Sequence, residues 1–139
     1  MVFELCGVEK SVPCILVVDD HDQVRCLLKE WLETVFPEFG VIEARSGEEA
    51  VAVAQAKLPE LVIMDIGLPQ MDGIEATQLI KKSIPTAQIV ILTMHEEEKY
   101  KEEAFASGVS AYVPKRLMQG DLLPTLQRLL AHYESANRR

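Results

Sequence analysis

The sequence predicts an α/β domain, a parallel five-stranded sheet with helices on both faces, three layers deep. Three observations point there. Five short apolar runs rich in β-branched residues are spaced along the chain. Each is followed by a segment with helical spacing or helix punctuation. The clearest of these runs are apolar at successive positions, as in strands buried on both faces of a parallel sheet.

"CILVVDD", Cys14 to Asp20, opens the series. Val24, Leu27, Leu28, Trp31, Leu32, Val35 and Phe36 follow at i, i+3, i+4, i+7 spacing and predict an amphipathic helix that stops before Pro37. "GVIEA", Gly40 to Ala44, is a second strand. Ser46 with Glu49 three residues on is a capping box, which predicts a helix over 47–57, with Pro59 beyond it. Leu61 to Met64 is the third strand and runs straight into Asp65, with Gly67, Pro69, Asp72 and Gly73 in the turn behind it. A third helix carries Ile74, Leu79 and Ile80 on one side and ends at Pro85. Gln88 to Thr93 is the fourth strand. The stretch 95–108 is helical but thinly apolar, with Tyr100, Ala104 and Phe105 as its contacts and Gly108 as its stop. "SAYVPK" is a short fifth strand ending at Lys115. A last helix runs from Asp121 to His132, with Leu122, Leu126, Leu129 and Leu130 for the core and Pro124 in its first turn.

A chain of 139 residues is long enough for one good core. Hydrophobic residues make up 48% and charged residues 26%, a globular balance rather than a disordered one. The formal net charge of -8 argues against direct nucleic-acid binding, which needs clustered Lys and Arg. Cys6, Cys14 and Cys26 are odd in number and lack metal-ligand spacing, so they are expected as free thiols in a reducing compartment. No signal peptide and no run of membrane-spanning length is visible, so the expected location is cytoplasmic. The expected layout is an N-terminal extension over 1–12, one domain over 13–134 and a short tail over 135–139.

In an open parallel sheet the C-terminal strand ends share one edge, where ligands bind. Asp19 and Asp20, Asp65, Thr93 and Lys115 should therefore meet. Three carboxylates stay ionised together only with a counter-charge. A hard divalent cation such as Mg²⁺ suits them. Cation, ammonium and hydroxyl are the set that holds the oxygens of a transferring phosphoryl group, and an aspartate can be its acceptor. Singly, each residue has a plainer reading: a helix cap, a turn residue, a solvated lysine. Jointly the plain readings must explain five polar residues at the same end of four strands.

The pieces "VVDD", "DIGLPQMDG", "ILT" and "AYVPK", in that order, resemble a response-regulator receiver domain of bacterial two-component signalling, of the CheY-like type. The resemblance spans about Cys14 to His132. It implies the flavodoxin-like doubly wound sheet, in strand order 2-1-3-4-5. It also implies that Asp65 is the phosphoacceptor and that Asp19 and Asp20 hold Mg²⁺, with Asp65 and the Gly67 carbonyl as further ligands. Thr93 and Lys115 would contact phosphoryl oxygens, and Tyr112 would be the aromatic partner of Thr93 in switching. The implied partners are a sensor histidine kinase or phosphotransfer protein and a downstream protein or output domain. The output surface would be the fourth helix, fifth strand and fifth helix, which also offers a dimer contact. Such a protein promotes its own phosphorylation and dephosphorylation but turns over no separate substrate.

Departures from the family pattern are visible at four places. Arg116 stands where proline is frequent after the lysine, and Pro114 precedes Lys115 instead. Met94 is larger than the small residue common after the threonine. Gly67 offers no side chain, and His95 falls near the mouth of the site. The favoured expectation for His95 is a helix cap or a simply solvated side chain, with the tuning of phosphate lifetime by His95 and Met94 as the alternative hypothesis. Among alternatives, an aspartyl-nucleophile phosphatase would carry its nucleophile on the first strand in an Asp-x-Asp arrangement. A flavin carrier would not place the acidic "DDHDQ" in its phosphate loop. A receiver-fold binding module independent of phosphorylation is the stronger alternative, against which the complete set of five site residues speaks. The chain ends soon after the last helix, which suits either a stand-alone receiver or a piece of a longer regulator.

Overall fold

The computed structural model describes residues 12–137, with side chains described through residue 131. Residues 1–11 and 138–139, and with them Cys6 and most of the expected extension, lie outside the described residues. In chain order the elements are β1 (Cys14–Val18), α1 (Asp22–Val35), β2 (Gly40–Ala44), α2 (Gly47–Lys57), β3 (Leu61–Met64), α3 (Gly73–Ser83), β4 (Gln88–Thr93), α4 (Glu98–Ala106), β5 (Ala111–Pro114) and α5 (Met118–Asn137). One 3₁₀ turn, Lys115–Leu117, joins β5 to α5. All strand pairs are parallel and the order is β2-β1-β3-β4-β5, as expected.

Strand periodicity sorts the core into two sides. Leu16, Val18, Val62, Met64, Ile89 and Ile91 face one way and pack with Ala50 and Ala54 of α2, Ile74 and Ile80 of α3, and Ala104 of α4. Ile15, Val17, Ile63, Val90 and Leu92 face the other way, onto Leu28 and Leu32 of α1 and Leu122, Leu126 and Leu130 of α5. Every residue of β1 and β3 is buried, which is why those runs read as continuous rather than alternating.

Caps set several boundaries. Ser46 accepts from the Glu49 N–H, and Arg45 N–H donates back to the Glu49 carboxylate. Asp72 accepts from Ile74 and Glu75, and the Glu75 side chain accepts from the Asp72 N–H, a full capping box that starts α3 after the Asp65 turn. Gly108, with φ 101°, follows the α4 cap residue in a conformation that L side chains rarely adopt.

The structure corrects the expected packing at the edges. Leu27 (67% exposed), Leu79 (41%) and Phe105 (51%) lie outside the core. Each sits on the margin of its helix's apolar stripe, where three-and-four spacing does not distinguish burial from exposure. The fourth helix begins at Glu98, not His95, because Glu97 is its N-cap. The last helix begins at Met118, so Pro124 sits within it, beyond the first turn. Cys26 is an exposed free thiol, and the buried Cys14 thiol donates to the Lys57 carbonyl at 3.7 Å. No helix among the described residues is long and apolar enough to cross a membrane.

Candidate functional site: an acidic pocket on the sheet edge

The chain runs outward from β1 to β2, then returns across β1 to β3. The topological switch point therefore lies between β1 and β3, and Asp19 and Asp65 follow these two strands directly. Each backbone is held by the neighbouring strand: Asp19 N–H donates to Ala44 O of β2 at 3.2 Å and Asp65 N–H donates to Val18 O of β1 at 3.2 Å.

Both carboxylates are buried, Asp19 at 2% and Asp65 at 5% exposure. Buried carboxylates need partners, and Lys115 supplies one for each. Its ammonium lies 2.8 Å from Asp19 Oδ2 and 3.2 Å from Asp65 Oδ2. Burial alone would lower the Lys115 pKa. The hydrogen bond to Asp19 and the charges of Asp65 and Asp19 outweigh it, so the pKa lies above its ordinary value. Asp65 Oδ1 accepts from the Gly67 N–H at 3.1 Å. Asp19 Oδ1 accepts from the His21 N–H at 2.9 Å. A hydrophobic strand can thus end in Asp65 because a lysine 50 residues later closes over it.

Asp19, Asp20, His21 and Asp65 each present a ligand-type atom within 4.8 Å of the others. Asp20 and His21 are the exposed members, and the His21 ring lies 3.4 Å from the Asp20 carboxylate. Sequence reading omitted His21 from this group. Its only signal was its place directly after the acid pair. Three clustered carboxylates, one of them open to solvent and two of them on the Lys115 ammonium, fit a hard divalent cation.

Gly73 is required by close approach to backbone, whereas Gly67 stands against a side chain. A Cβ on Gly73 would fall on the Asp65 carbonyl, and one on Gly67 would stand 3.1 Å from His95 Nε2. His95 therefore occupies the side of the pocket that a residue 67 side chain would fill, and it is not a helix cap. Met94, beside it, is 75% exposed. Thr93 is fully buried at the end of β4, next to β3 in the sheet, and its Oγ1 accepts from the His95 N–H at 3.3 Å. The structure brings Asp19, Asp20, Asp65 and Lys115 together, while Thr93 is engaged with its own loop rather than with Asp65. Tyr112 donates its hydroxyl to the His95 carbonyl at 2.8 Å, which ties β5 to the loop after Thr93. Burial, with Glu97 nearby, pushes its phenol up to about 12. Arg116 forks onto Glu96 at 2.8 and 3.0 Å, a second tie between the same two loops. The Val113–Pro114 bond is trans.

A family model for the response regulator receiver domain matches residues 15–127. Among curated proteins, the response regulator protein VraR of Staphylococcus saprophyticus is 34% identical over 114 residues, covering 82% of this chain and 54% of that protein. The chain thus spans about half the length of the curated relatives it matches. Among solved structures, a LuxR-family two-component response regulator from Aurantimonas superposes with a TM-score of 0.80 at 35% identity, covering 88% of this chain and 87% of that one. Vibrio cholerae chemotaxis protein CheY4 superposes at 0.77 and 29% identity, covering 86% of this chain and 100% of that one. Fold, pocket and family model agree on a receiver domain, a class of signalling switch. The chain belongs to the response regulator receiver family of two-component signalling.

Proposed function

We propose that this domain, over 13–134, is a phosphoacceptor switch that takes a phosphoryl group on Asp65 from a sensor histidine kinase or phosphotransfer protein. The observation that carries the reading is the Lys115 ammonium held between the Asp19 and Asp65 carboxylates at the switch point. An Asp65 oxygen attacks the phosphorus of the donor's phosphohistidine, the P–N bond breaks with its electron pair going to the imidazole, and an acyl phosphate forms on Asp65. Lys115 is placed to follow the charge onto a phosphoryl oxygen, and Thr93 has a hydroxyl to donate once its loop shifts. Asp19, Asp20, Asp65 and the Gly67 carbonyl would hold Mg²⁺, which supplies neutralisation of the phosphoryl oxygens.

The readout follows from the ties around Thr93. Drawing its hydroxyl toward Asp65 disturbs the His95 backbone, and the Tyr112 bond to the His95 carbonyl passes that shift to β5. The surface of α4, β5 and α5 is then the output face, for a downstream protein, an output domain or a second copy. The acidic surface suits protein contacts rather than nucleic acid, and the setting of such a switch is the cytoplasm. His95 and Met94 flank the pocket mouth and set the lifetime of the acyl phosphate; His95→Ala and Met94→Ala should change the dephosphorylation rate.

The test is intact mass after incubation with Mg²⁺ and a small-molecule phosphodonor. One added phosphoryl group is expected in the native protein, and none in Asp65→Asn or with EDTA. Phosphorylation that survives Asp65→Asn would move the acceptor elsewhere. No phosphorylation, together with no response to Mg²⁺ and beryllofluoride, would leave a binding module that works without the modification.

A further inference from the structure

Arg25 is a buried charge outside the phosphoryl site. It lies on the inward stripe of α1 with Leu28 and Leu32 and is 7% exposed. A guanidinium there must be fully partnered. Its Nη1 donates to the Asp19 backbone carbonyl at 2.8 Å, its Nε to Glu43 of β2 at 2.9 Å, and its Nη2 to Asp22 at 2.7 Å.

Asp19 is thereby held at every polar atom. Its N–H is bonded to Ala44, its carbonyl to Arg25, Oδ1 to His21 and Oδ2 to Lys115. Asp20, the next residue, has the His21 ring beside its carboxylate. Its direction into the pocket is inherited from the Asp19 peptide, and Arg25 is what fastens that peptide to α1 and β2. We propose that Arg25 is a positioning residue for the divalent-cation site: by locking the Asp19 carbonyl it aims Asp20 and its neighbour at the ion. This rests on the reading of the pocket as a cation site.

Electrostatics alone predicts the opposite sign. Arg25 carries a permanent positive charge close to the pocket, and removing a cation beside a cation site tightens binding. A lysine keeps that charge but lacks the planar fork that reaches three acceptors at once. The two roles therefore separate on Arg25→Met and Arg25→Lys.

The experiment is calorimetric titration of Mg²⁺ into the unphosphorylated wild-type protein, both variants and Asp20→Asn. Positioning predicts about tenfold weaker binding in both Arg25 variants, the usual scale for groups that orient metal ligands. Asp20→Asn should abolish binding. Arg25→Lys keeps the buried charge and decides the matter if Arg25→Met does not fold. Unchanged or tighter binding in either folded variant overturns the positioning role while the cation site stands. If the wild type itself binds no Mg²⁺, the reading of the pocket fails and this role falls with it.

Discussion

The two ends of the pocket are built differently. On the β1 side, Asp19 is bonded at each polar atom, Arg25 has three partners, and α1 buries Arg25, Leu28 and Leu32. On the β4 side, α4 buries only Ala104 among its nine residues and exposes Phe105, and Met94 in the loop before it is exposed as well. Its ties include the Tyr112 hydroxyl, the Arg116–Glu96 fork, the tilted contact of His95 on Tyr100 at 5.2 Å and Lys101 over the Tyr112 ring at 5.9 Å. A switch needs one part that keeps the chemistry aligned and another with little packing to lose. In the proposed switch, the charge-dense "EEEKYKEE" supplies the second part.

That contrast can be broken or sharpened by substitution. The largest effect is expected on the fixed side. Leu32 is fully buried between α1 and the sheet. Leu32→Ala should cost about 3 kcal/mol, read by urea unfolding. Tyr112→Phe removes one half-buried hydrogen bond and should cost about 1 kcal/mol. It should also loosen the 94–97 loop, seen as faster amide exchange there. Phe105→Ala should change stability by no more than about 0.5 kcal/mol, since surface substitutions away from special features rarely do more. A cost for Phe105→Ala close to that of Leu32→Ala would mean α4 is packed as firmly as α1, and the contrast would be lost.

Strand identity and the meeting of the acidic residues with Lys115 were legible in the sequence for the same reason, while the strand order came with the family resemblance. Runs such as "CILVV" and "LVIM" are apolar at every position, so both their type and their burial are stated by composition. Asp19, Asp20, Asp65 and Lys115 were legible because each stands where such a run stops. Three things were less legible. Leu27, Leu79 and Phe105 have helical spacing, yet their burial depends on how far each neighbouring helix reaches. The start of α4 was set by a glutamate cap without a side-chain bond, which carries no distinctive signal. Arg25 was passed over although it interrupts the apolar stripe of α1, because its meaning depends on Glu43 and on the Asp19 carbonyl, and a carbonyl has no letter in the sequence.

The most direct test of the two-sided account is amide hydrogen exchange with Mg²⁺ present, with and without saturating beryllofluoride. The account predicts altered exchange across 94–106 and β5, with β1 and the first turns of α1 unchanged. Exchange that changes in β1 and α1 while 94–106 stays the same would contradict it.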